Sequence, residues 1–262
     1  VRQALNTIEV VRKKNTIFDN RPHIAHLQLI DKADMPRFRK LGVTATFQPF
    51  WAYRDVFVKD LTVPVLGEEM STAQQEEIWG DGRRELWCID PVDGTSNFVH
   101  GLPYFAVSVA LMRGGRSVLG VVYDPVGKEL FAAESGRGAF LNGVRMLKRS
   151  VVTELSAALA NVDMKRLDSK LSSILASHPP YASQRNFGAS TLDWCYTAAG
   201  RYDAYLHGGQ KLWDYAAGSL ILQEAGGQIC CLEHDDFFRG NVWQRSVIAA
   251  LDADLFNAWK SW

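Results

Sequence analysis

The chain has 262 residues, and 29 Lys and Arg residues balance 29 Asp and Glu residues, which leaves a formal net charge of zero at pH 7. A neutral chain has no long-range field to hold nucleic acid or an anionic membrane, so an anionic ligand would need a local binding device. No apolar run is long enough for a membrane span, and no signal-peptide core follows the first residue, so we expect a cytoplasmic protein.

Strands dominate the elements predicted after residue 104. Apolar runs over Phe105–Met112, Ser117–Tyr123 and Lys128–Ala133 predict three strands. The first two are joined by the turn Arg113–Arg116, whose central glycines are typical of a hairpin. Helical spacing then covers Asp163–Ala176 and ends before two prolines, which cannot continue a helix.

Helices and strands alternate in the C-terminal part. The pattern predicts a helix, a short strand and a buried helix over Ser190–Ala199, Asp203–Leu206 and Trp213–Ala225. Together with the hairpins this predicts a layered α/β (α+β) sandwich. We divide the chain into an atypical N-terminal segment 1–57, for which a fused or recombined origin is our preferred explanation, a metal-binding α+β half 58–150 and a C-terminal α/β half 151–262. The four cysteines form no CxxC pair, which favours buried reduced thiols.

The most informative stretch is Trp87–Phe98, in which an apolar lead-in ends in two carboxylates three residues apart, Asp90 and Asp93. Pro91 fixes one backbone angle and Gly94 frees another, so both carboxylates can converge on one point. Hard divalent cations such as Mg²⁺ prefer oxygen ligands of this kind. A surface turn would explain the Asp-Gly pair alone but not its apolar approach, so we favour a metal site.

A threonine and two further acidic positions extend this candidate site. If Thr95 begins a helix, the free N–H groups at its start would suit a phosphate. Upstream, a short apolar segment ends in Gly67 followed by Glu68 and Glu69, a pair that alone would indicate a solvated face. Downstream, Asp214 lies at the start of an apolar helix, where an N-cap aspartate is an equally good explanation.

Together these segments resemble the inositol monophosphatase family of the lithium-sensitive, Mg-dependent phosphatase superfamily. The metal motif reads Asp90–Thr95, the glutamate motif Gly67–Glu69, and the C-terminal signature Trp213–Gly218. The resemblance covers about residues 58–262. It implies a five-layered αβαβα sandwich, usually in a homodimer, with two or three Mg²⁺ ions per site and a small phosphorylated substrate.

The same resemblance implies a role for each motif residue. Metal ligands would be the Val92 carbonyl and the carboxylates of Glu68, Asp90, Asp93 and Asp214. Phosphate would be contacted by the N–H groups of Gly94 and Thr95, and the Thr95 hydroxyl would orient the attacking water. Metal ions neutralise phosphate oxygens and activate water, so no protein nucleophile is needed.

On the substrate side, the resemblance adds Gly188, Ala189, His207 and a second role for Asp214. The pair Gly188–Ala189 matches a substrate loop of the family, with alanine where serine is common. His207 lies about where animal members carry a glutamate that binds inositol hydroxyls, although a surface histidine without that role is the favoured interpretation. Asp214 would also hold a sugar or inositol hydroxyl, and nearby Lys211 would either attract an anionic substrate or simply be solvated.

The first 57 residues depart from the family pattern. Members carry a Val-Thr-x-x-Asp element whose aspartate helps to activate water, but here Val43–Thr46 is followed by Phe47, which cannot accept a proton. Either another carboxylate such as Glu69 replaces it, or turnover is impaired. The segment resembles a fragment of metal-dependent amidohydrolases, in which the position of His26 is a metal ligand. So short a fragment cannot close a (β/α)8 barrel, and we do not expect His26 to bind a functional metal.

The function predicted from these residues is Mg-dependent hydrolysis of a small phosphate monoester, with inositol monophosphate as first choice. Sugar bisphosphates, histidinol phosphate and 3′-nucleotides remain alternatives, because the metal motifs do not separate the substrates of the superfamily. The alternative from another class is a non-catalytic or impaired phosphate- and metal-binding homologue that lacks the activating aspartate.

Overall fold

The computed structural model describes residues 9, 23–24, 35–41, 44–45, 63–80, 85–147 and 152–262. The chain divides into two compact units, Val1–Val65 and Leu66–Trp262. Among the described residues, none of the helices has the length and hydrophobicity that crossing a bilayer requires.

The first unit is described only in short pieces. Strands β1 (His23–Ile24) and β2 (Thr44–Ala45) pair in parallel. Helix α1 spans Met35–Lys40. Two residues of the sequence analysis lie outside the described residues. They are His26, at the position of a metal ligand in amidohydrolases, and Phe47, which stands in place of the activating aspartate.

Within the described residues, one sheet has seven strands. They are β3 (Val65–Gly67), β4 (Leu86–Asp93), β5 (Ala106–Arg113), β6 (Arg116–Asp124), β7 (Glu129–Glu134), β8 (Gly138–Leu141) and β9 (Val144–Arg145). Their spatial order follows the sequence. Helix α2 (Thr72–Trp79) follows β3, and the short helix α3 (Thr95–His100) follows β4.

The hairpin predicted after residue 104 is present as β5 and β6, and the third predicted strand is β7. Gly114 and Gly115 have φ values of 59° and 74°. A two-residue hairpin turn of this kind needs positive φ at both central positions, which glycine adopts without steric cost.

A second sheet is mixed, with five strands among the described residues. They are β10 (Leu159–Asp163), β11 (Ser183–Arg185), β12 (Ala204–Gln210), β13 (Gln228–Cys230) and β14 (Arg245–Ala250). Their order is β11-β10-β12-β14-β13, and β10 is parallel to both β11 and β12. The helices of this part are α4 (Ser169–Ser177), α5 (Ser190–Ala198), α6 (Leu212–Glu224) and α7 (Ala253–Ser261).

The helix predicted over Asp163–Ala176 is in fact two pieces. Asp163 ends β10, and its side chain accepts a hydrogen bond from Lys165 N at the start of a short 3₁₀ turn. Asp168 then accepts from two N–H groups and begins α4. The prediction of one helix was wrong because both aspartates bind nearby backbone N–H groups, and each of them starts a separate element.

Alternation along β12 separates two apolar layers. Tyr205 belongs to the main core. Helices α5 and α6 contact strands of both sheets there and pack between them. The neighbours of Tyr205, Ala204 and Leu206, face the other side, where Leu175 of α4 and Trp259 of α7 cover the sheet. The described residues thus form successive layers of sheet, helices, sheet and helices, which confirms the layered α/β prediction. The four cysteines are buried and free, as expected.

Close contact fixes α6 in the central layer. A Cβ atom on Gly120 of β6 would lie 2.8 Å from the Ala217 carbonyl oxygen, and one on Gly218 would lie 2.4 Å from Cβ of Trp194. Because real Cβ atoms do not approach so closely, both glycines let α6 approach β6 and α5 at backbone distance. The position of α6 matters because its first turn carries Asp214.

Candidate functional site

A β-bulge brings Asp90 and Asp93 to the same side of β4. In a regular strand, residues three apart point to opposite faces. Here Asp90 pairs with Ser108 and Asp93 with Ala106, so β4 uses one more residue than β5 over this stretch. The extra residue resets the alternation, and both carboxylates are buried.

The turn after Asp93 depends on Gly94. Its φ is 83°, and an added Cβ would lie 3.0 Å from the Tyr104 carbonyl oxygen. Thr95 begins helix α3, as predicted, and its hydroxyl donates a hydrogen bond to the Val92 carbonyl oxygen at 2.9 Å. Since that hydroxyl donates its hydrogen bond to the Val92 carbonyl, the oxygen of Thr95 retains lone pairs that can accept a hydrogen bond from another group.

Glu68 follows β3 directly and lines the same cleft as the two aspartates. Its backbone N–H lies 3.4 Å from the Ile89 carbonyl oxygen on β4, which ties the two strands together. Gln75 of α2 donates from Nε2 to the Gly67 carbonyl at 3.0 Å. Glu69 is exposed and is not among the residues that line the cleft.

Asp214 occupies the first turn of α6 without being its N-cap residue. The helix begins at Leu212, and Asp214 accepts a hydrogen bond from the backbone N–H of Lys211 at 2.8 Å. This arrangement is the carboxylate arm of a capping box. One oxygen of Asp214 therefore fixes the side chain, which lies against the cluster of acidic residues on β4.

Carboxylate oxygens of Asp90, Asp93 and Asp214 all lie within 4.8 Å of one another. Burial, followed by repulsion from the neighbouring carboxylates, raises the pKa of Asp90 to about 9. The same causes raise the pKa of Asp214 to about 7 and also raise that of Glu68. Like charges held this closely in a buried place are stable only with a proton or a cation between them.

The donor set fits a hard divalent cation. It consists of carboxylate oxygens and the Val92 carbonyl, which also lines the cleft. Among the described residues that converge here there is no thiolate or imidazole, so softer metals have no preferred ligand. The acidic group can thus hold a hard divalent cation such as Mg²⁺.

Thr191 is a residue of the site that sequence reasoning missed. Its backbone N–H and its hydroxyl both donate to Asp93 Oδ2, at 2.6 Å and 2.7 Å. Helix α5 has Ala189 at its N-cap position, and alanine cannot cap the free N–H groups. Asp93 supplies that cap from a distant part of the chain. The sequence signal for this role is a helix start, Ser190–Thr191, without a capping side chain of its own.

The remaining wall of the cleft is rich in basic and hydrogen-bonding groups. It contains Asp163, Lys165, Arg166, His207 and Lys211, and the whole cleft has a volume of about 540 Å³. Cavities of roughly 300–1,000 Å³ are typical of small-molecule sites.

Two predicted substrate residues differ from expectation at this wall. His207 is only 4% exposed, so the interpretation as a surface histidine was wrong; strand β12 continues to Gln210 and carries it inward. Ala189 is fully buried and does not line the cleft, whereas its neighbour Gly188 does. The catalytic and binding roles of all these residues stay predictions.

Comparison with known proteins identifies the family. A sequence profile of the inositol monophosphatase family matches residues 58–258. The chain belongs to the inositol monophosphatase family. This confirms the resemblance that the motifs showed over about residues 58–262.

Several known proteins resemble this chain over most of that region. The Nus factor SuhB of Pseudomonas aeruginosa is 43% identical over 175 residues, which cover 64% of this chain and 63% of that protein. The inositol-1-monophosphatase of Caulobacter vibrioides is 35% identical over 196 residues, covering 72% and 73%. The crystal structure of suhB from Bartonella henselae matches with a TM-score of 0.63 at 33% identity, covering 78% and 80%. The chain spans 63%, 67% and 55% of the length of three SuhB relatives.

Proposed function

We propose that this family member is a Mg²⁺-dependent phosphomonoesterase that hydrolyses a small phosphate monoester, with inositol monophosphate as first choice. The observation that carries the proposal is the convergence of Asp90, Asp93 and Asp214 on one point in a cleft of substrate size. Glu68 and the Val92 carbonyl complete the set that would hold the metal. When bound, Mg²⁺ would neutralise phosphate oxygens and lower the pKa of a nearby water.

The chain's own groups would orient the reactants. The first turn of α3 has N–H groups without intrahelical acceptors, and those at Gly94 and Thr95 would bind phosphate oxygens. The Thr95 hydroxyl is fixed by its bond to Val92 and would accept a hydrogen bond from the attacking water. Thr191 would keep Asp93 in place with its two donors.

The test is phosphate release from inositol 1-phosphate by the full chain, with Mg²⁺ and then with EDTA. Asp93→Asn should lower Mg²⁺-dependent release by roughly 100-fold or more, because a ligand charge is lost while the shape is kept. Asp124→Asn is the matched control, since Asp124 is also buried and accepts two N–H bonds but lies outside the cleft. Full activity in Asp93→Asn, or equal loss in the control, would contradict the site assignment.

Two features support variations on this function. Lys165, Arg166 and Lys211 also line the cleft and favour a substrate with a second anionic group, so fructose 1,6-bisphosphate belongs in the same assay. Phe47 favours a homologue that binds phosphate and metal without turnover, which would show Mg²⁺-dependent binding of inositol 1-phosphate but no release. The homodimer implied by the resemblance and the cytoplasmic location expected from the sequence remain part of the proposal.

A second candidate function is the role named in several relatives, that of a Nus factor. It is favoured by the 43% identity to the SuhB protein of Pseudomonas aeruginosa. Complementation of a strain that lacks SuhB, by this chain and by its Asp93→Asn variant, separates the two functions. Complementation by both would support a role independent of phosphate hydrolysis, whereas complementation by neither would argue against the second candidate.

A further inference from the structure

Two neighbouring strands place Asp163 and His207 side by side at the cleft. They are register partners in the parallel pair β10 and β12. His207 Nε2 lies 3.1 Å from Asp163 Oδ2, and the two side chains are 5% and 19% exposed. The histidine is therefore enclosed, and the carboxylate is the more open member of the pair.

Both ring nitrogens of His207 are already used. The backbone N–H of Gly209 donates to Nδ1 at 3.1 Å, so this nitrogen is unprotonated. The ring proton of the neutral imidazole is then on Nε2, where it is donated to Asp163. His207 has no polar atom left for a ligand, so a direct contact with substrate is not its role.

Asp163 retains the capacity that His207 lacks. Its Oδ1 accepts from Lys165 N at 3.1 Å and its Oδ2 from His207. An ionised carboxylate has about four acceptor positions, so each oxygen can accept one more hydrogen bond. Burial works to raise the pKa of Asp163, but the hydrogen bond from His207 and the electrostatic interactions with His207 and then Arg166 outweigh it and lower the pKa. The group stays ionised and offers only acceptors.

We propose that Asp163 is a specificity-determining residue that accepts a hydrogen bond from a hydroxyl group of the substrate, and that His207 positions it. Asp163 is not one of the three aspartates that converge at the metal centre, although it lines the same cleft. A substrate that reaches from the metal centre to this wall would carry its phosphate at one end and a hydroxyl at the other. The inference rests on the proposed function and narrows the substrate class to polyol phosphates.

The experiment compares inositol 1-phosphate, which is rich in hydroxyls, with phenyl phosphate, which has none. The quantity measured is the ratio of their kcat/KM values with Mg²⁺. Asp163→Ala should lower this ratio about 10- to 100-fold, the effect of losing a hydrogen bond to a charged group. Asp168→Ala is the matched control, because Asp168 likewise accepts an N–H two residues ahead but is not a cleft residue. Its ratio should equal that of the unmodified chain.

The positioning role of His207 has a separate readout. His207→Leu should lower the ratio mainly through a higher KM for inositol 1-phosphate. His207→Gln should restore it, since the glutamine amide can donate to Asp163 in place of Nε2. If His207 had a purely structural role, His207→Gln would not restore the ratio of kcat/KM values.

Several outcomes would overturn the inference. An unchanged ratio in Asp163→Ala would do so, as would an equal fall in Asp168→Ala. If the unmodified chain hydrolyses neither substrate, the proposed function fails. The role of Asp163 is then tested by calorimetry, which measures the binding of inositol 1-phosphate and of inorganic phosphate in the presence of Mg²⁺. Selective weakening of inositol 1-phosphate relative to inorganic phosphate in Asp163→Ala would support its role. Equal weakening, or no binding to the unmodified chain, would overturn it.

Discussion

Replacement of Asp90 by asparagine should stabilise the protein when no divalent metal is present. The pKa of Asp90 is raised from 3.8 to about 9, first by burial and then by the charges of Asp93, Glu68 and Asp214. A carboxyl group with a raised folded-state pKa contributes stability that is complete below its unfolded value and is lost as the pH rises toward the folded value. The metal-free protein should therefore lose stability from about pH 4 to about pH 9.

The expected gain follows from this pKa difference. Each pKa unit corresponds to about 1.4 kcal/mol. Roughly three pH units separate the unfolded value from pH 7, which sets a ceiling of about 4 kcal/mol. Because the titrations of the acidic residues are coupled, the destabilisation does not belong to Asp90 alone. We therefore expect Asp90→Asn to raise the free energy of unfolding by about 2 kcal/mol. Asparagine keeps the oxygen that accepts from Val92 N at 3.0 Å, so the turn itself should persist.

The assay is urea unfolding in EDTA and in Mg²⁺, at about pH 5 and about pH 8. In EDTA the advantage of Asp90→Asn should grow with pH. In Mg²⁺ the order should reverse, because only the unmodified chain gains the full free energy of metal binding. Asp124→Asn serves again as a buried carboxylate outside the cleft and should show no such reversal. A variant less stable than the unmodified chain at both pH values in EDTA would refute the argument from repulsion.

Two further substitutions test the local geometry. Thr191→Val removes the hydroxyl donor to Asp93 but keeps the backbone one, and it should weaken Mg²⁺ binding about 10-fold in calorimetry. Gly94→Ala should cost about 1–3 kcal/mol in thermal unfolding, because φ is 83° and the new Cβ meets the Tyr104 oxygen at 3.0 Å. Gly101→Ala is the control, with a φ of 72° and open space around the Cβ. Equal affinity for Thr191→Val, or equal cost for both alanines, would contradict these expectations.

The centre of the site was predictable because its geometry is local. Asp90, Pro91, Asp93 and Gly94 lie within five positions, and the turn chemistry of proline and glycine alone indicates convergence. The bulge that completes it occurs in the same stretch. The hairpin of β5 and β6 was predictable for the same reason, since two glycines between apolar runs specify the turn.

The other wall depends on contacts between distant parts of the chain. Thr191 lies 98 positions from Asp93, and nothing near either residue shows that they meet. The pairing of Asp163 with His207 depends on the register of β10 and β12, which one sequence does not reveal. A register irregularity after His207 also lets β12 continue to Gln210, so the predicted end at Leu206 left the histidine on the surface.

Every described residue that lines the cleft belongs to the compact unit Leu66–Trp262. This has a consequence for how such a chain tolerates recombination during evolution. An exchange of sequence upstream of Leu66 replaces none of the described residues that line the cleft, so the four acidic residues and Asp163 are all retained. A crossover between Asp93 and Asp214 would instead join two halves whose acidic residues evolved together with different partner residues. Breakpoints compatible with metal binding are therefore expected at the start of the chain and not in its middle.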